Sequence, residues 1–338
     1  MSDAVVAPVR ATGIGSWPGT SAREAVRTVR DLLVDGEGVG LPHCPETPAR
    51  GPGADIIGRA AGLLVDLPVD LQPSGWRFVD RPGLDAARTA SFHGEDLDEL
   101  AEAYDGYVGA LKVQVAGPWT LAASLRLNRG ERVVADPGAV ADLVASLADG
   151  IQSYVSDVRR LVPGAEVVLQ VDEPSLPAVL AGEVPTPSGY GTVRAVEPSR
   201  AEQTLRDVLL VAPSGGRVVH CCASDAPLAL LRAAGADALA IDAGRIGSAD
   251  LDALGEAIEA GMSLWLGVLP STDTTITLDA AREQIKRLWS TLGFPLGQLA
   301  GGVVPTPACG LAGATPAYAR RVHAVLRDVG RSLLDDSA

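Results

Sequence analysis

The residues best suited to chemistry are a histidine with a cysteine close by and a second cysteine far along the sequence. His220, Cys221 and Cys222 end the run RVVHCC, and Cys309 follows VVPTPA. Side chains on a strand alternate between faces, so His220 and Cys222 share one face and Cys221 takes the other. Imidazole and thiolate are ligands that zinc prefers. Asp242 ends the run ALAID, one helix and one strand after Cys222, and would complete a His, Cys, Asp, Cys set. The same residues also admit a plainer reading, as buried structural cysteines and a helix-capping aspartate.

A second group sets carboxylate acceptors beside free backbone donors. Asp172 and Glu173 end the run VVLQVDEP and point to opposite faces. The alternative for this pair is a helix-start carboxylate cluster. The turn IGS offers the amides of Gly15 and Ser16, and Glu46 follows the short run VGLPHC.

These residues sit at the ends of short apolar runs that read as strands, at 11–16, 39–44, 111–116, 166–171, 217–221, 238–242, 263–268 and 300–305. Such runs fit a parallel sheet buried on both faces. Helical periodicity lies between them, at 21–34, 54–65, 138–161, 199–210, 226–234, 250–260, 278–292 and 315–334. Ser21, Asp96 and Asp136 read as helix starts, and Gly235 and Gly261 as left-handed stops. Eight βα units predict a TIM (β/α)8 barrel, whose active site gathers at the C-terminal ends of the strands. Residues 1–10 read as a flexible N-terminus and 11–334 as a single barrel domain. A doubly wound sheet is disfavoured: GIGSWPG puts Trp17 and Pro18 where a phosphate loop needs small residues and free amides. Two stretches, 66–95 and 119–137, break the rhythm and read as rim insertions, the second a loop or hairpin around Asn128–Gly130.

Composition narrows the function. Of 338 residues, 28 are Lys or Arg and 42 Asp or Glu, a net charge of -14, which repels nucleic-acid backbones and anionic lipid. No apolar run is long enough to span a bilayer, and the start MSDAVVAPVR lacks a signal layout. A cytoplasmic small-molecule enzyme is the expectation, with its cysteines reduced.

The motifs IGSWPGT, VAGPWTLA, QVDEPSL, HCCASD, IDAGR and PACGL occur in an order and spacing that resemble the catalytic barrel of cobalamin-independent methionine synthase, in a short form with only the C-terminal barrel. The resemblance implies zinc held by His220, Cys222, Asp242 and Cys309, with Asp242 where the family usually has Glu. It implies an ammonium site at Asp172 and Glu46 and a carboxylate site at Gly15 and Ser16. It also implies methyl transfer to the zinc-bound thiolate of homocysteine, giving methionine. The donor would be methyltetrahydrofolate or a methyl-corrinoid carried by a partner protein. The family's loop after strand seven carries a His suited to protonating the folate nitrogen; GVLPSTDTTIT has none, and Asp273 is its only acid. The alternatives are a decarboxylase of the uroporphyrinogen type on the same barrel and a non-catalytic zinc-bearing binding protein.

Overall fold

The computed structural model describes residues 11–336 except 35 and 37; the expected flexible segment 1–10 lies outside the described residues. Six parallel strands form one sheet in chain order: β3 (Val108–Ala116), β4 (Gly164–Asp172), β5 (Arg217–Cys221), β6 (Ala238–Asp242), β7 (Ser263–Leu269) and β8 (Val303–Pro307). Helices connect each strand to the next, and the helix Pro316–Asp335 follows the last. A separate antiparallel hairpin, β1 (Val69–Gln72) and β2 (Gly75–Phe78), turns at Pro73–Ser74.

The sheet curls. Leu41, Val168, Val218, Ala238, Ala240, Trp265 and Val304 pack into one small apolar cluster on one side of it. A much larger cluster lies between the sheet and the helices. Burial on both sides explains why the strands read as unbroken apolar runs.

The expected strands at 11–16 and 39–44 are extended segments that make only isolated bridges, Ser16 to Glu46 and His43 to Lys112. For 39–44 the reason is chemical: Pro42 and Pro45 bring no N–H to a ladder. Backbone hydrogen bonds nevertheless tie the two segments to each other and to the sheet. The Leu41 amide donates to Ala11 O at 2.8 Å, and the Lys112 amide to Pro42 O at 2.9 Å. On the other side, the Thr12 amide donates to Pro305 O of β8 at 3.4 Å.

Most helices lie where periodicity put them. Ser21 caps Ala22–Leu33 by accepting from the Glu24 amide, and Asp136 caps Pro137–Leu161. Gly235 and Gly261 follow their helices with φ of 92° and 84°. Two expectations fail. Asp96 does not start a helix; it is buried in the middle of Leu84–Ala103, where its carboxylate pairs with Arg50 and Arg59. The second fails in part: the stretch 119–137 begins with a helix, Pro118–Ser124, and then makes the expected hairpin around Asn128–Gly130, where Arg126 bridges Arg132. Both insertions thus have regular structure.

Candidate metal centre and amino-acid pocket

His220 and Cys222 come from the end of β5, and Cys309 from the turn after β8. Their ligand atoms lie within 4.8 Å of one another, with the two sulfurs 3.1 Å apart. Glycines permit the close approach. A Cβ on Gly267 of β7 would stand 2.6 Å from Ala308 Cα, so only glycine lets the turn carrying Cys309 cross there. A Cβ on Gly310 would strike Ser16 Oγ at 2.0 Å, so this glycine lets the first turn meet the last.

The donor set suits a soft divalent cation. His220 Nδ1 lies 3.1 Å from Ala240 O, which assigns its proton to Nδ1 and leaves Nε2 bare. Nε2 is buried without a hydrogen-bond partner, as a ligand atom awaiting a cation would be. A hydrogen bond from Cys222, working against burial, draws the Cys309 thiol down to about 4, and the same bond raises Cys222. A proton held between thiolates is what a cation displaces on binding. Cys221 points away, into the apolar cluster outside the sheet.

Asp242 is not brought into this cluster. Its Oδ1 accepts from the Gly244 amide at 2.8 Å, and its Oδ2 from Arg245 Nε at 3.2 Å. It caps the short turn Ala243–Arg245, the alternative role its position allowed.

Next to the metal cluster, Asp172 ends β4 in register with His220 of β5. It is buried, and Gln170 Nε2 donates to its Oδ1 at 2.6 Å. Burial, first of all, raises its carboxyl to about 7. Glu46 is also buried, and burial raises it too; Arg59 Nε faces it at 3.4 Å. Gly15 and Ser16 lie on the facing segment, where Ser16 O accepts from the Leu311 amide at 2.9 Å. Glu173 points the other way. It accepts from the Trp119 and Thr120 amides at 2.9 and 2.8 Å and from the Thr120 hydroxyl at 2.8 Å, anchoring the helix Pro118–Ser124.

Asp273 lies apart from these groups. It accepts from the Thr315 amide at 2.8 Å and the Thr315 hydroxyl at 2.6 Å, which lowers its pKa. The geometry makes it the anchor of Thr315, the residue that caps the last helix, and holds it as the anion.

Several residues of the site carried no signal in the sequence. Lys112 and Gln170, on neighbouring strands, meet inside the curl at 2.7 Å. Gln114 Nε2 donates to Cys44 O at 2.6 Å and holds the 39–46 segment. A polar residue in a buried strand reads only as an interruption, and its partner on the next strand is not adjacent in sequence. The cross-strand register would have been the signal.

Residues 9–331 match the family described as cobalamin-independent synthase, catalytic domain. A solved B12-independent methionine synthase from Shewanella sp. W3-18-1, in complex with selenomethionine, has the same fold. It superposes with a TM-score of 0.64 at 11% sequence identity, covering 98% of this chain and 99% of that one. No curated protein matches the chain. The chain belongs to the cobalamin-independent synthase catalytic-domain family. Its activity is that of the class, a homocysteine S-methyltransferase that forms methionine.

Proposed function

We propose that His220, Cys222 and Cys309 hold zinc, and that homocysteine binds beside it with its ammonium toward Asp172 and Glu46. The substrate carboxylate lies against the Gly15 and Ser16 turn. The observation that carries this reading is the bare, buried His220 Nε2 among two sulfurs, with Asp172 one strand away. When bound, zinc supplies one thing: it lets the substrate thiol react as a thiolate at neutral pH. The protein's residues do the rest. Asp172 and Glu46 fix the amino-acid end, so the sulfur is presented to the donor in one orientation. Asp242 is the fourth ligand in this reading, and it must release Arg245 to reach the metal, which makes it the most easily displaced of the four.

The two extended segments, 11–16 and 39–46, act as the first two staves of a closed eight-fold barrel. The bonds from Thr12 to Pro305 and from Lys112 to Pro42 support that closure. The domain boundaries follow from it, as one barrel over 11–334. For the donor, Asp273 is engaged with Thr315 and offers no proton. That favours a methyl-corrinoid, which needs no nitrogen protonation, over methyltetrahydrofolate.

The test is homocysteine affinity of the zinc-loaded protein by titration calorimetry. Asp172→Asn removes a charge-assisted hydrogen bond worth ~1.5–3 kcal/mol, and binding should weaken accordingly with zinc retained. Unchanged affinity in that variant removes Asp172 from the pocket.

A further inference from the structure

The apolar lining inside the curl is interrupted by polar side chains with no obvious structural need. Val168, Val218 and Val304 belong to that lining, with Val168 in register with Lys112 and Val218 with Gln170. Beside them Lys112, on β3, is fully buried. Burying a lysine is costly unless its ammonium has partners. Lys112 Nζ donates to Ile14 O at 2.7 Å and to Gln170 Oε1 at 2.7 Å. Gln170 Nε2 in turn donates to Ile14 O at 2.8 Å and to Asp172 Oδ1 at 2.6 Å.

This arrangement has a direction. As the ammonium, which burial opposes and Asp172 and Glu46 favour, Lys112 only donates, so it fixes which end of the Gln170 amide faces it. With Oε1 turned to Lys112, the NH2 must face Ile14 and Asp172. A flipped amide would set its oxygen against the Asp172 carboxylate, acceptor against acceptor. The second branch ends on the Ile14 carbonyl, which receives two donors. In a trans peptide the N–H of the next residue points opposite to that carbonyl, so the same contacts fix the Gly15 N–H.

We propose that Lys112 is a positioning residue for amino-acid recognition. Acting through Gln170, it aims the Asp172 carboxylate at the substrate ammonium and sets the Gly15–Ser16 turn for the substrate carboxylate. This rests on the pocket assigned above. Lys112 directs its hydrogen bonds to Ile14 O and Gln170 Oε1 and to none of the metal ligands. Its effect is confined to thiols that carry both polar groups.

The experiment compares homocysteine with 1-propanethiol, which has the sulfur and neither polar end. Zinc-loaded wild type, Lys112→Met, Gln170→Leu and the double variant are titrated with each, alongside zinc content and melting curves. Each single variant should lose roughly tenfold or more in homocysteine affinity, the value of a charge-assisted hydrogen bond. Each should keep its propanethiol affinity and its zinc. The double variant should lose less than the sum of the two single losses, because Lys112 reaches Asp172 only through Gln170, although each also donates to Ile14 O. Should Lys112→Met fail to fold, Gln170→Leu carries the same comparison. Wild-type homocysteine affinity in the variants overturns the proposal. So does an equal loss for both thiols, or losses that add in the double variant. Failure of wild type itself to prefer homocysteine overturns the pocket and this proposal with it, and shows before any variant is made.

Discussion

Cys221 and Cys222 are neighbours in sequence with opposite fates, and the difference tests the metal centre at single-residue scale. Cys222 lies 3.1 Å from Cys309 across the mouth of the sheet. Cys221 is buried among apolar side chains behind it. Zinc content measured after dialysis should fall to near zero for Cys222→Ser and for Cys309→Ser, and stay at one per chain for Cys221→Ser. Asp242→Ala should bind zinc more weakly than wild type but still bind it, because the other three ligands remain. Alternation on one strand made the Cys assignment readable from the sequence. The Asp242 side chain was not readable in this way. A short carboxylate competes for nearby backbone amides, and here Gly244 N takes it. Which partner wins depends on the turn that follows, and spacing says nothing about that.

At the scale of elements, the helices were legible where a wide apolar stripe faces the core, as in Pro137–Leu161 and Pro316–Asp335. Leu84–Ala103 was missed because it buries only Thr89, Asp96, Leu97 and Leu100, too narrow a stripe to stand out. The helix Pro118–Ser124 was missed because it is buried nearly all round, so it has no polar face to set a period. Its first turn is held by Glu173 instead. Burial raises the Glu173 carboxyl from 4.5 to about 7, against the amide donors of Trp119 and Thr120. The folded state therefore binds this proton more tightly than the unfolded chain. The stability it contributes is full below pH ~4.5 and is lost as pH rises through ~7. Glu173→Gln cannot titrate, and it sets an NH2 against a donor. Melting temperatures recorded across this range should show wild type above the variant, with the gap narrowing as pH rises. A gap that widens with pH would show the carboxylate to be stabilised as the anion.

The whole molecule joins a curled sheet to a rim of insertions, and the joint is ionic. Asp96 of Leu84–Ala103 pairs with Arg50, just after the 39–46 segment, and with Arg59 of the helix Ile56–Ala61, which in turn faces Glu46. Asp96→Ala would leave two buried guanidinium groups short of a partner, and a broken buried pair costs ~3–5 kcal/mol. Denaturant unfolding should show a loss of that order, together with weaker homocysteine binding as Arg59 and Glu46 shift. A loss within ~0.5 kcal/mol would mean that the network is solvated and supports nothing. The segments expected as the first two strands stood out as short apolar runs, but neither forms a regular ladder. For 39–44 the cause, Pro42 and Pro45, was visible all along. What the sequence could not show is that side chains replace the missing ladder, with Gln114 on Cys44 O and Lys112 on Ile14 O. The central claim remains the chemistry of the cluster at His220, Cys222 and Cys309. It is tested most directly by methionine yield from homocysteine with methylcobalamin or methyltetrahydrofolate, for zinc-loaded and chelator-stripped protein side by side. The account predicts methionine from at least one donor with the zinc-loaded protein, none after stripping, and recovery when zinc is restored. Equal yields from stripped and loaded protein, or none from fully loaded protein with either donor, would contradict it.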